Sequence, residues 1–153
     1  MQRFRAKILF LAAMGNLVFS ANARAISNSD LTITINGLKN PRGQVCLSLF
    51  SNSQGFPGDR ERALQAQCFK AAQTPLVVNF RNLKTGNYAA AVIHDANSDR
   101  TLNCNALGIP VEGFGFSRNP KIRMGPPKFG DAAILVKGPR TNVQIQLQYL
   151  LGS

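Results

Sequence analysis

Leu83-Lys84-Thr85-Gly86-Asn87-Tyr88 runs without interruption into Ala89-Ala90-Ala91-Val92-Ile93. A leucine, a tight glycine turn and a tyrosine opening an apolar strand have the form of a tyrosine corner. There the phenol hydroxyl bonds back to the chain upstream and pins a crossing between two sheets. The strand that follows carries small apolar residues at both parities from Ala89 to Ala91, as a central strand covered on both faces does. Together these residues predict a β-sandwich.

The flanking segments agree. Upstream, Leu31, Ile33 and Ile35 alternate with Thr32, Thr34 and Asn36, the period of a strand with one buried face. Asn40-Pro41-Arg42-Gly43 reads as a turn, since proline presets φ and glycine accepts the left-handed geometry that follows. Gln44 to Phe50 is the next strand, with Val45, Leu47 and Leu49 on one face and Cys46 on the other, and the two strands are expected to form a hairpin. Ser51 to Gly58 is a loop around Phe56-Pro57. Asp59 is placed to cap a short helix through about Ala66, with Glu61 in its first turn where the helix dipole favours an acid. Cys68 to Ala72 reads as a brief strand or an extended link, and Leu76, Val78 and Phe80 alternate as another strand. Ala132 to Lys137 and Val143 to Tyr149 are the last two, separated by Gly138-Pro139. In the final strand Val143, Ile145, Leu147 and Tyr149 face inward and Gln144, Gln146 and Gln148 outward. The expectation is an all-β, immunoglobulin- or transthyretin-like sandwich of about seven strands, with a short helix and one long loop.

The first 25 residues stand apart. Arg3, Arg5 and Lys7 precede a mostly apolar stretch from Ile8 to Phe19, and Ala23-Arg24-Ala25 supplies the small-x-small pattern of a signal-peptide cleavage site. The apolar run is short for a membrane span, which needs about 20 residues. The reading is therefore export, a periplasmic or secreted protein after cleavage near Ala25, with a retained N-terminal anchor as the competing account. Residues 26–153 form a single domain, long enough for one core. Four of the 18 basic residues leave with the signal peptide, and the 14 that stay outweigh seven acids by +7. That balance favours anionic partners such as lipopolysaccharide or teichoic polymers, with simple colloidal solubility as the competing account. Of the three cysteines, Cys46 and Cys68 flank one excursion and are the preferred disulfide pair, leaving Cys104 over.

The candidate chemistry lies in His94 to Ser117. Asp95, Asn97, Asp99 and Asn103 occupy positions 1, 3, 5 and 9 of a calcium-type loop, with the Thr101 carbonyl at position 7. Arg100 stands where such a loop has its glycine, and Ala106 where a glutamate closes the shell, so the pattern allows a weak calcium site at best. The competing account is an Asx-rich loop whose side chains bond their own backbone. His94 is read either as a hydrogen-bonded structural residue or as a metal ligand or acid–base group. Ser117, His94 and Asp95 contain the atoms of a catalytic triad but lack a nucleophile-elbow motif. Beyond them, Phe114, Phe116 and Phe129 are interleaved with Arg118, Lys121, Arg123 and Lys128. This basic aromatic run would suit a polyanion by stacking and neutralisation, or wrap the sandwich end with its aromatics as plugs.

Several separate motifs then occur in order: Gly43, Gly55-Phe56-Pro57, Leu83-x-x-Gly86-x-Tyr88-Ala89 and His94-Asp95-x-Asn97. They are followed by Leu107-Gly108-Ile109-Pro110-x-Glu112-Gly113-Phe114-Gly115-Phe116-Ser117 and Gly125-Pro126-Pro127-x-Phe129-x-Asp131-Ala132-Ala133. In these the chain resembles the bacterial DUF2141 family, exported proteins of unknown function. The resemblance implies the fold and the compartment and brings no established activity or catalytic residues. The expected function is a non-enzymatic binding or accessory module of the cell envelope. Its partners would be anionic envelope polymers or another envelope protein, ahead of nucleic acid. The alternatives are a metal-dependent hydrolase using His94, Asp95 and Asp99, and a polyanion-binding module working through the basic aromatic loop.

Overall fold

The computed structural model describes residues 28–72 and 74–151, so the expected signal peptide at 1–25 lies outside them. Among these residues are eight strands: β1 (Asn28–Asn36), β2 (Gln44–Phe50), β3 (Gln65–Lys70), β4 (Leu76–Lys84), β5 (Gly86–Asp95), β6 (Gly113–Phe116), β7 (Ile134–Val136) and β8 (Arg140–Gln146). They make two sheets. One has the order β4-β1-β8, with β1 antiparallel to β4 and parallel to β8. The other has the order β3-β2-β5-β6, and β7 pairs with the opening residues of β5. The protein is an all-β sandwich.

Period-2 alternation sets its interior. Leu31, Ile33 and Ile35 of β1 meet Val45, Leu47 and Leu49 of β2, Val78 and Phe80 of β4, and Ala90 and Val92 of β5. The second sheet is also covered outside, where Phe50, Ala89, Ala91, Phe114, Phe116 and Ala132 form a second apolar cluster beneath Phe56, Leu102, Ile122 and Phe129. Small side chains along β5 let both faces be covered at once, as the alanine run implied.

The tyrosine corner is present. β4 belongs to one sheet and β5 to the other, with Thr85 alone between them. The Tyr88 hydroxyl donates to the Lys84 carbonyl at 2.8 Å from a ring only 6% exposed. Tyr88→Phe keeps the apolar contacts and orphans that carbonyl, so a loss of about 1–2 kcal/mol is expected. Urea unfolding should show it as a lower midpoint at unchanged slope.

Three expectations are corrected. β1 and β2 do not pair as a hairpin, because β1 is flanked by β4 and β8 while β2 is flanked by β3 and β5. The Asn40–Gly43 turn instead carries the chain between sheets, with the Asn40 carboxamide accepting from the Arg42 amide at 3.1 Å. The helix after Asp59 is one 3-10 turn, Arg60–Arg62. Asp59 does cap it, accepting from the Glu61 amide, but Ala63 is already extended and the chain goes on to form β3 beside β2. Finally, the long segment after Asp95 contains a strand, β6, and a four-residue helix, Phe129–Ala132.

β6 reads Gly-Phe-Gly-Phe, which strand propensity disfavours. Its glycines face the crowded interior: a Cβ on Gly113 would lie 2.5 Å from the Tyr149 ring, and one on Gly115 would lie 2.8 Å from Ile145. Its phenylalanines face the outer cluster. Cys46 and Cys68 are register partners on β2 and β3 and form the expected disulfide, while Cys104 is free and exposed. Closing that loop contributes about 3 kcal/mol through the unfolded chain. Among the described residues no helix is long and apolar enough to cross a membrane.

Candidate functional site

β5 delivers His94 and Asp95 to one end of the sandwich. His94 shares the inward parity of Tyr88 and Val92 and is 2% exposed. Its Nε2 lies 2.8 Å from the Arg42 carbonyl and its Nδ1 2.9 Å from the Tyr149 hydroxyl. A carbonyl only accepts, so Nε2 carries a hydrogen and donates it to Arg42, while Nδ1 pairs with the phenol. Burial pushes the Tyr149 phenol above its usual range, against the Lys39 amide, which pulls it down. Tyr149 therefore keeps its proton, and the Lys39 ammonium sits 4.6 Å from the ring centroid. The histidine is a tie between β5, the β1–β2 crossing and the C-terminal segment.

Asp95 is fully buried. Its carboxylate accepts from the Gln44 side chain at 2.7 Å, the Arg100 amide at 2.7 Å and the Asp99 amide at 3.1 Å. Ser98 and Arg100 adopt φ of 63° and 66°, so Arg100 takes the left-handed conformation for which glycine is usual. Asp99 is exposed. It accepts from the side chains of Asn97 and Asn103 and from the Thr101 amide, and these bonds, Asn103 foremost, lower its pKa. The Asn97 side-chain oxygen accepts from the Asp99 amide, and that of Asn103 accepts from Asn97. Every side-chain oxygen of Asp95, Asn97, Asp99 and Asn103 thus already receives an N–H.

Glu112 completes the loop, and sequence reasoning assigned it no role. It is 8% exposed, and its two oxygens accept from the Ala96 amide at 2.9 Å and the Asn103 amide at 3.0 Å. One carboxylate thereby clamps both ends of residues 96–103. The available signal was an acid placed between Val111 and the buried Gly113-Phe114 pair, where a charge persists only if it is hydrogen-bonded. The tie through the Tyr149 hydroxyl was also missed, because that residue's parity says only that it faces inward.

The hydrolase constellation does not assemble at an open surface. Ser117 is fully buried, accepts from the Ala90 amide and donates to the Ala132 carbonyl. His94 spends both nitrogens elsewhere. Among the described residues no group of three His, Cys, Asp or Glu side chains is disposed to hold a metal ion.

A second locus lies beyond β6. Arg118, Lys121, Arg123 and Lys128 line one groove of about 540 Å³ with Ile122 and Met124. Its one acid, Asp131, accepts from the Lys128 amide at 2.9 Å. Of the two accounts of this run, the rings follow the one that has them as plugs: Phe114 and Phe116 are buried, and Phe129 packs edge-on against Phe56 at 5.9 Å. Apolar burial has drawn the rings under the segment and left the cations in solvent.

The model of one protein family, described as an uncharacterized protein conserved in bacteria (DUF2141), matches residues 33–144. The chain belongs to the DUF2141 family. No curated protein and no solved structure matches it. The matched span of this DUF2141 domain runs from within β1 to within β8, taking in the His94–Glu112 loop and the basic groove. Tyr149, which completes the histidine tie, lies beyond it.

Proposed function

We propose that this DUF2141 protein is an exported, non-catalytic binding module of the cell envelope that holds anionic polymers along its basic groove. The observation that carries this reading is the convergence of Arg118, Lys121, Arg123 and Lys128 on one concavity whose single acid is already bonded. Phosphate-bearing polymers suit such a site, since several cations neutralise several phosphates and release their counterions. The disulfide accords with an oxidising compartment. Burial of His94 beneath the loop speaks for scaffold rather than acid–base work: an acid–base histidine needs a nitrogen free for substrate, and here both are bonded. The 95–103 loop is held by its own N–H donors, which supports reading it as scaffold.

Binding of residues 26–153 to immobilised lipopolysaccharide and, in a parallel arm, to teichoic polymer tests the reading. Affinity is expected to fall steeply with salt, and the double variant Lys121→Glu/Arg123→Glu should weaken it at low salt by on the order of tenfold or more while flattening the salt slope. Equal binding by wild type and variant would remove the groove from consideration.

A further inference from the structure

Three segments converge over the outer face of the second sheet and leave a pocket of about 290 Å³, distinct from the basic groove and adjoining it at Pro126. Its floor is Cys46, Ser48, Ala91 and Ile93 on adjacent strands, and Phe114 and Phe116 form one wall. Pro57 and Gly58 close one side and Leu102 another. The space exists because Ser48 and Ala91 are small where the neighbouring outward residues, Phe50, Phe114 and Phe116, are large. Ser48 is 5% exposed and borders the hollow.

Two cations complete this apolar hollow. Arg60 reaches it from the 3-10 turn, its guanidinium Nη1 lying 3.2 Å from the sulfur of Cys68, a weak acceptor. Arg100 reaches it from the loop after β5, where φ of 66° turns the backbone, and among the described residues its guanidinium has no acid partner. No acid lines the pocket. An apolar interior with two guanidinium groups and no acid in its lining selects a ligand with an apolar body and a single anionic head.

We propose that this pocket binds a small anionic amphiphile, an alkyl chain bearing one carboxylate or phosphate. The chain lies over Ala91 and Ile93 between Phe114 and Leu102, and the head meets Arg60 and Arg100. The proposal stands independently of polymer binding in the groove, because it uses different cations and an apolar contact.

Titration of isotope-labelled protein with decanoate and with decyl phosphate, below their micellar concentrations, tests it by NMR. Acetate and inorganic phosphate serve as heads without chains, and decyltrimethylammonium as the chain with the opposite charge. Saturable shifts are expected at Ser48, Ala91, Ile93 and Leu102 for decanoate, decyl phosphate or both, which also identifies the preferred head. Arg100→Glu, at an exposed position, and Arg60→Glu, at a half-buried one, should each weaken binding by on the order of tenfold. Ser48→Leu, which fills the floor, should abolish it. Lys121→Glu/Arg123→Glu in the groove should leave it unchanged even if polymer binding is lost. Equal shifts with decyltrimethylammonium, shifts confined to the groove, or none at those four residues would each overturn the proposal.

Discussion

Asp95→Ala is expected to lower the unfolding free energy by about 3–5 kcal/mol. The carboxylate is fully buried and receives three hydrogen bonds. Truncation leaves the buried-side Arg100 amide without an acceptor, at about 1–3 kcal/mol, reduces the Asp99 amide to its 3.2 Å bond to Asn97, and forces the Gln44 carboxamide to find another partner. Asp95→Asn keeps one carbonyl acceptor and should lose roughly half as much. Asp99→Ala should move the midpoint far less, because that carboxylate is exposed and its donors return to water. Urea unfolding with EDTA and then with millimolar calcium checks the ranking and the cation question together. A ligand confined to the folded state raises stability by mass action. The self-bonded loop predicts the same midpoint in both solutions for wild type. A calcium-dependent rise that Asp95→Ala abolishes would sink that account and reinstate the cation loop.

Gly43→Ala should cost about 3–4 kcal/mol, although it adds only one methyl group. Gly43 has a φ of +65°, and a Cβ there would sit 2.1 Å from the Asp95 carbonyl oxygen and 2.7 Å from the Ala96 carbonyl. Left-handed geometry costs alanine about 1–2 kcal/mol, and the remainder is the cost of moving backbone that cannot rotate away. That shift would part the end of β5 from the β1–β2 crossing and stretch the bond from His94 to the Arg42 carbonyl. Gly108→Ala is the matched control, with φ of +74° and nothing within 4 Å of the new carbon. It should therefore cost only the conformational term. If denaturant midpoints place the two variants together, close approach at Gly43 is not the constraint described here.

Much of the fold was legible because it rests on local chemistry. Alternation in 31–36, the Leu83–Tyr88 corner and the alanines of β5 follow from period, turn geometry and parity, and Cys46 and Cys68 were the preferred pair because they flank one excursion. What escaped was decided by distant partners. Whether β1 pairs with β2 depends on competition from β4, β8, β3 and β5, and no turn sequence reveals its competitors. β6 was hidden because its glycines are required by Tyr149 and Ile145, 30 or more residues away.

At the site, residue types alone left His94 and Asp95 open between chemistry and scaffold. The four cations could be named, and the phenylalanines offered as plugs, but not the convergence of the cations on one groove. By itself the sequence determined a two-sheet β protein with a polar loop at the end of its central strand. Only the tertiary structure decided that Glu112 clamps this loop, that Tyr149 ties the histidine, and that small residues on two strands leave an apolar pocket beneath Arg60 and Arg100. The reason is physical: backbone period is written in neighbouring residues, whereas burial, hydrogen-bond satisfaction and cavities belong to groups that meet only when the sheets close.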